Sequence, residues 1–154
     1  MEEKYLIEIT NRQRIEDTVE EFTLTTKGAY VLRDGKRYIV YREFEQENQT
    51  EQTSTLKVDA TGDHEIVSLI RNTPQHGRTN LVLEQGKRHL CQYGTAFGCL
   101  TLGVFTSRID DQLTDTGGTI EMEYTLDVNT NLSSINAITI KIKEAGDDQP
   151  IAEA

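Results

Sequence analysis

The chain has 154 residues, the length of one domain, and its 36% hydrophobic and 27% charged content places it among globular rather than disordered sequences. Sixteen Lys and Arg against 26 Asp and Glu leave a formal charge of −10, which argues against non-specific binding to nucleic acid or to an anionic membrane, since both need a positive field. There is no apolar run long enough for a membrane helix, the Met-Glu-Glu-Lys start does not read as a secretory signal, and two cysteines make no disulfide framework, so the expectation is a reduced, cytoplasmic protein.

Along the chain the dominant period is two. Tyr5, Ile7 and Ile9 alternate with polar residues and predict a strand over 4–12. Residues 15–22 come nearest to a helical stripe, but their Thr and Val content favours strand, and 17–26 is assigned so. Strands at 28–34 and 36–46 flank Asp34-Gly35, a strong hairpin signal. In the second of these, Tyr38, Val40 and Phe44 share a face with Arg42, while Ile39 and Tyr41 share the other with Glu43. Further strands are expected at 51–60, 63–72, 78–85, 87–94 and 97–109, punctuated by Gly62, the polar segment 72–77 with Pro74, and Gly86. Gly103 is a candidate bulge, and Asp110-Asp111 reads as a turn. After Gly117-Gly118, Ile120, Met122, Tyr124, Leu126 and Val128 alternate with polar residues over 118–129, and Ile138, Ile140 and Ile142 do so over 135–144. The fold class is therefore all-β, with about eight to eleven antiparallel strands and little or no helix. Strands this long would leave costly edges in an open sheet, so closure into a single lipocalin-like barrel over residues 1–145 is expected. Residues 146–154 are acidic and small and are expected to form a disordered tail.

The charge is unevenly spread. Residues 71–108 carry five basic side chains (Arg71, Arg78, Lys87, Arg88, Arg108) and one acidic one, Glu84, for +4, so the remainder carries −14. The same stretch holds His76 and His89 and many apolar and small residues. Guanidinium groups on an apolar sheet suit a pocket for an anionic or amphipathic small molecule. Opposite-charge pairing with neighbouring strands is the ordinary alternative, for instance Arg88 with Glu84 across the Gly86 turn. His89 shares a strand face with Cys91 and Tyr93 by alternation, and its reference pKa near ~6.5 suits acid–base work. Cys91 and Cys99 sit symmetrically about Thr95 and are read as small buried hydrophobes rather than a redox pair. The histidines His64, His76 and His89 are scattered, so no metal site is expected, and nucleophile-elbow, phosphate-loop, dinucleotide-binding and HExxH motifs are absent.

The stretch running from Arg78 through Leu81-Val82-Leu83-Glu84-Gln85-Gly86-Lys87-Arg88-His89 to Tyr93-Gly94-Thr95-Ala96-Phe97-Gly98, Leu102-Gly103-Val104 and Thr106 resembles the YwiB-like family. So does Leu24-Thr25-Thr26-Lys27-Gly28 followed by Tyr30 and Tyr38-Ile39-Val40-Tyr41, and the resemblance covers about residues 4–144. These are bacterial proteins of unknown function, and the resemblance implies a calycin-type antiparallel β-barrel and no particular reaction. Cys91 and Cys99 lie outside its pattern.

Three functions are compatible with these residues. The first is a barrel that binds a small anionic or amphipathic molecule through Arg78, Arg88, His89, Tyr93 and Thr106, with no cofactor. The second is an interaction module, self-association included, that uses the 71–108 region as an outward patch. The third is an enzyme with His89 as acid or base beside Tyr93. They differ in whether these side chains point into one pocket, lie on the outside, or come within hydrogen-bond reach of one another.

Overall fold

A period-two sequence has two faces with different needs, and ten such segments in succession satisfy them by wrapping the apolar faces around a common axis. The structure, a computed structural model, describes residues 4–45, 50–73, 77–95 and 97–145. Among these the chain forms ten strands and no helix: β1 (Tyr5–Ile15), β2 (Thr18–Arg33), β3 (Lys36–Glu45), β4 (Thr50–Asp59), β5 (Ile66–Thr73), β6 (Gly77–Glu84), β7 (Arg88–Thr95), β8 (Gly98–Thr114), β9 (Gly117–Val128) and β10 (Asn131–Glu144). Each strand pairs antiparallel with the next, and β1 pairs with β10 from Tyr5–Glu144 to Arg14–Ile135, which closes the barrel. No helix of the described residues is long and apolar enough to cross a membrane. The expected tail at 146–154, Pro74 and His76 lie outside the described residues.

The expected strands 17–26 and 28–34 are one continuous strand. Gly28 does not interrupt it; it lets neighbouring strands approach, because a Cβ there would run into the Val40 carbonyl oxygen and the Ile7 side chain. Asp34 and Gly35 both have positive φ, 54° and 77°, as a two-residue hairpin turn between twisted strands requires. Asp110 and Asp111 are not a turn: β8 runs through them to Thr114. The register shift in β8 lies between Thr106 and Arg108 rather than at Gly103. Gly103 pairs regularly with Leu90 and Asp127, and its missing side chain makes room for Arg88, which lies across it to reach Asp127. The β6–β7 ladder is sparse, with Asn80 opposite Gln92 as its paired position. There, side chains stand in for carbonyls: the Val82 amide donates to Cys91 Sγ at 3.2 Å and the Gly94 amide to Thr79 Oγ1 at 3.0 Å.

The interior divides into two halves. Toward the end that holds the start of β1, it is filled by side chains such as Ile7, Ile39, Val67, Val104, Ile120 and Ile140, all at most 1% exposed. Tyr30 bolts this end across the barrel. Its hydroxyl donates to the Thr114 carbonyl at 2.5 Å and accepts from Arg37, which also pairs with Asp115 at 3.0 Å. Beside it, Glu65 hydrogen-bonds Asp111, and burial together with that carboxylate pushes its carboxyl up to about 8.

Two predictions follow from these contacts. Gly28→Ala should cost about 1–3 kcal/mol, because a backbone oxygen must move. Gly103→Ala should cost less, because it meets only side-chain ends that swing aside; denaturant titration of both variants ranks them, and equal losses would contradict the packing at Gly28. Glu65, whose folded pKa is raised, contributes stability that is fully present below its unfolded value near 4.5 and is lost as pH rises to about 8. Glu65→Gln, which stays neutral, should therefore remove a decline in melting temperature that the parent protein shows over that window.

Candidate functional site

In the other half of the barrel the inward period continues, but with polar residues. On β1, Ile7 and Ile9 are followed in phase by Asn11 and Gln13; on β3, Ile39 by Tyr41 and Glu43; on β5, Val67 and Leu69 by Arg71. β10 repeats this in reverse, Asn136 preceding Ile138, Ile140 and Ile142. These groups surround a cavity of about 280 Å³, whose wall also includes Thr79, Tyr93 and Tyr124.

At its centre Arg71 donates from Nε to Ser54 Oγ at 2.9 Å and lies 3.5 Å from Glu43, whose second oxygen accepts from Gln52 at 3.3 Å. Arg71 and Glu43 are each about one quarter exposed, so the ion pair faces the opening rather than the apolar floor. Across the barrel Gln13 donates to Asn136, which donates to Ser134, both within 3.2 Å. Burial, reinforced by Tyr93 and Tyr41, pushes the Tyr124 hydroxyl up to about 12. Burial raises Tyr41 too, with Glu43 adding to it against the opposing pull of Arg71. Both hydroxyls therefore keep their protons at neutral pH. Asn11 Oδ1 is buried and has no hydrogen-bond partner. Larger grooves of about 570 and 620 Å³ lie on the outside of the barrel.

The residues singled out by charge in the sequence do not converge here. Arg78 is exposed on β6, outside the cavity lining. Arg88 points outward and grips Asp127 with two hydrogen bonds of 3.0 and 2.7 Å, so it does not pair with Glu84. Glu84, 6% exposed, is held instead by His89 Nε2 at 3.0 Å and Lys87 at 3.2 Å. The hydrogen bond from His89, joined by Lys87, outweighs burial and holds the Glu84 carboxyl below its usual range. His89 therefore faces the closed end, and Tyr93, four residues along β7 and about 13 Å away, forms no dyad with it. Tyr93 lines the cavity. Thr106 is fully buried with an unpaired hydroxyl, but it is not among the lining residues. Cys91 is buried and Cys99 exposed, with Leu102 and Gly94 opposite them respectively, so the two do not face each other. Among the described residues no three of His, Cys, Asp and Glu come together as a metal-ligand set.

Glu43, Tyr41, Tyr124, Asn11 and Asn136 are site residues that charge counting along the chain misses, and Arg71, counted in the 71–108 stretch, is not distinguished by it from the outward-facing cations. The signal that finds them is phase: a charged or amide side chain in step with an apolar face points inward once the sheet closes.

Comparison with known proteins agrees with this barrel. No curated protein matches the chain. The crystal structure of the ywiB protein from Bacillus subtilis matches with a TM-score of 0.77 over 92% of each chain at 20% identity, a likeness that carries the fold alone. A family model described as a domain of unknown function, DUF1934, matches residues 7–140. With nearly the whole barrel inside that match, the chain belongs to the DUF1934 family of YwiB-like proteins.

Proposed function

We propose that the protein binds one compact amphipathic small molecule in the open half of its barrel. The observation that carries this reading is the convergence of polar groups from opposite strands on one cavity, with the Asn11 carboxamide oxygen buried and unpaired at its wall. An unsatisfied buried acceptor costs about 1–3 kcal/mol, a loss that a ligand N–H or O–H would recover. The volume of about 280 Å³ lies just under the usual range for drug-sized ligands, about 300–1,000 Å³. Apolar floor residues such as Ile9, Leu69 and Leu81 suit the ligand's hydrophobic end, and the tyrosine rings suit an aromatic one. Arg71 is already compensated by Glu43, so the geometry favours a neutral or zwitterionic polar end over a bare anion.

The interaction-module reading of 71–108 has less support. Lys87, Arg88 and Arg108 are each committed to carboxylates of the same chain, and Arg71 lines the interior. An enzymatic role for His89 has none of the neighbours it would need in the cavity.

The binding reading is tested by native mass spectrometry of the purified protein and by ligand-observed NMR with a library of compact aromatic compounds. Arg71→Ala should weaken a retained or selected ligand about tenfold or more, whereas Arg78→Ala and Arg88→Ala should leave it unchanged. Asn11→Leu should do two things at once: raise the melting temperature of the empty protein by about 2–4 °C and weaken binding. A ligand lost with Arg88→Ala and kept with Arg71→Ala would place the site elsewhere.

A further inference from the structure

The outward face of β2, β1, β10, β9 and β8 carries an arrangement that the cavity does not use. Strand pairing sets Val19, Arg14, Ile135, Thr125 and Phe105 side by side in one row, and Glu21, Arg12, Ala137, Glu123 and Arg108 in the next. Val19, Ile135 and Phe105 are 49%, 43% and 39% exposed, set apart from one another in the row by Arg14 and Thr125.

The charges on this face are sorted by strand. β1 supplies two uncommitted guanidinium groups: Arg12 has no ion pair among the described residues, and Arg14 donates only to the Glu16 carbonyl, at 3.1 Å. On β8 and β9 one guanidinium, Arg108, serves three carboxylates, Glu121 and Glu123 at 3.1 Å and Asp110 at 3.7 Å, which leaves two negative charges over. Between the two lies β10, presenting Ile135 and Ala137. Read from β1 across β10 to β9 and β8, the face runs positive, apolar, negative, with Glu21 of β2 flanking the positive strand.

Such a face is complementary to itself under one rotation. A two-fold axis in the plane of contact and parallel to β10 carries β1 of one copy over β9 of the other and keeps the rows in step. Arg12 then faces Glu123 of the second copy, and Ile135 meets its own counterpart on the axis, while the outer strands β2 and β8 curve away from the contact. An in-plane axis perpendicular to the strands would set β1 on β1, guanidinium against guanidinium. We infer that this face is the interface of a symmetric homodimer whose two-fold axis runs along β10. The groove of about 570 Å³ on this face has short side chains, Ser107, Thr125 and Ala137, between its longer walls, and so has room for the arginines of the second copy. Five strands by about 24 Å of strand length give at most roughly 500–600 Å² per copy on a curved wall, the lower end for a specific interface and the class of weak, transient contacts.

Sedimentation equilibrium of the full chain over about 5–500 µM tests this. The expected result is a monomer–dimer equilibrium whose Kd rises about tenfold or more with Arg12→Glu or with Glu123→Arg alone. An equimolar mixture of those two variants should recover association to within about threefold of the parent, because each charge reversal then faces the other. Ile135→Asp, on the axis, should abolish the dimer. Far-UV circular dichroism and melting temperature confirm that each variant is folded, and Arg12→Gln and Ile135→Thr replace any that is not. A parent chain that stays monomeric at the top concentration, a dimer indifferent to Arg12→Glu and Ile135→Asp, or a mixture that fails to recover would each overturn the inference.

Discussion

The pairing of β1 with β10 is the constraint on which everything else in this molecule depends. Ten registered positions, from Tyr5–Glu144 to Arg14–Ile135, turn a meander with two open edges into a cylinder with none. Once the sheet is closed, the two faces of every strand become an inside and an outside, and a residue's parity decides which it occupies. Ile7 and Arg12, five residues apart on β1, thereby belong to different environments, one to the packed core and the other to water. The same closure makes a polar interior feasible. Arg71 and Glu43 leave bulk water together, each supplied with a partner by a strand on the same wall.

The fold is legible in the sequence to an unusual degree because period-two alternation with tight turns has few other solutions. Where the reading fails, it does so for local reasons. Gly28 looks like a break because glycine is poor in strands, yet it is the residue that a close approach of neighbouring strands demands. Asp110-Asp111 looks like a turn because two adjacent carboxylates are rarely placed in a strand. In the fold, one of them is taken up by the Arg108 cluster and the other by Glu65. The site is less legible. Local charge density selects Arg78, Arg88 and His89, but a cation's role depends on the residue beside it in the sheet, and Asp127 lies 39 residues from Arg88. Only the phase of Glu43, Arg71 and Asn11 with their apolar neighbours carried usable information, and the direction of that phase depends on closure.

The outside of the barrel obeys a different economy from the inside. An acidic chain has few cations, and half of the described ones in the second half of the chain are tied to specific carboxylates: Arg88 to Asp127, Lys87 to Glu84, Arg108 to three at once. These pairs are partly exposed and contribute modestly to stability. Their consequence is mainly one of pattern, since they remove positive charge from β7 and β8 and leave β1 as the basic strand of the face.

The seam between β6 and β7 carries a further consequence. A ladder of amides and carbonyls is indifferent to sequence, because every residue but proline brings the same two groups and substitution leaves the hydrogen bonds standing. Here two of the fastenings are a threonine hydroxyl and a cysteine sulfur. At Thr79 and Cys91 the connectivity of the sheet is therefore written in side chains, and it is heritable residue by residue: one codon change can unfasten a strand pair whose backbone it never alters.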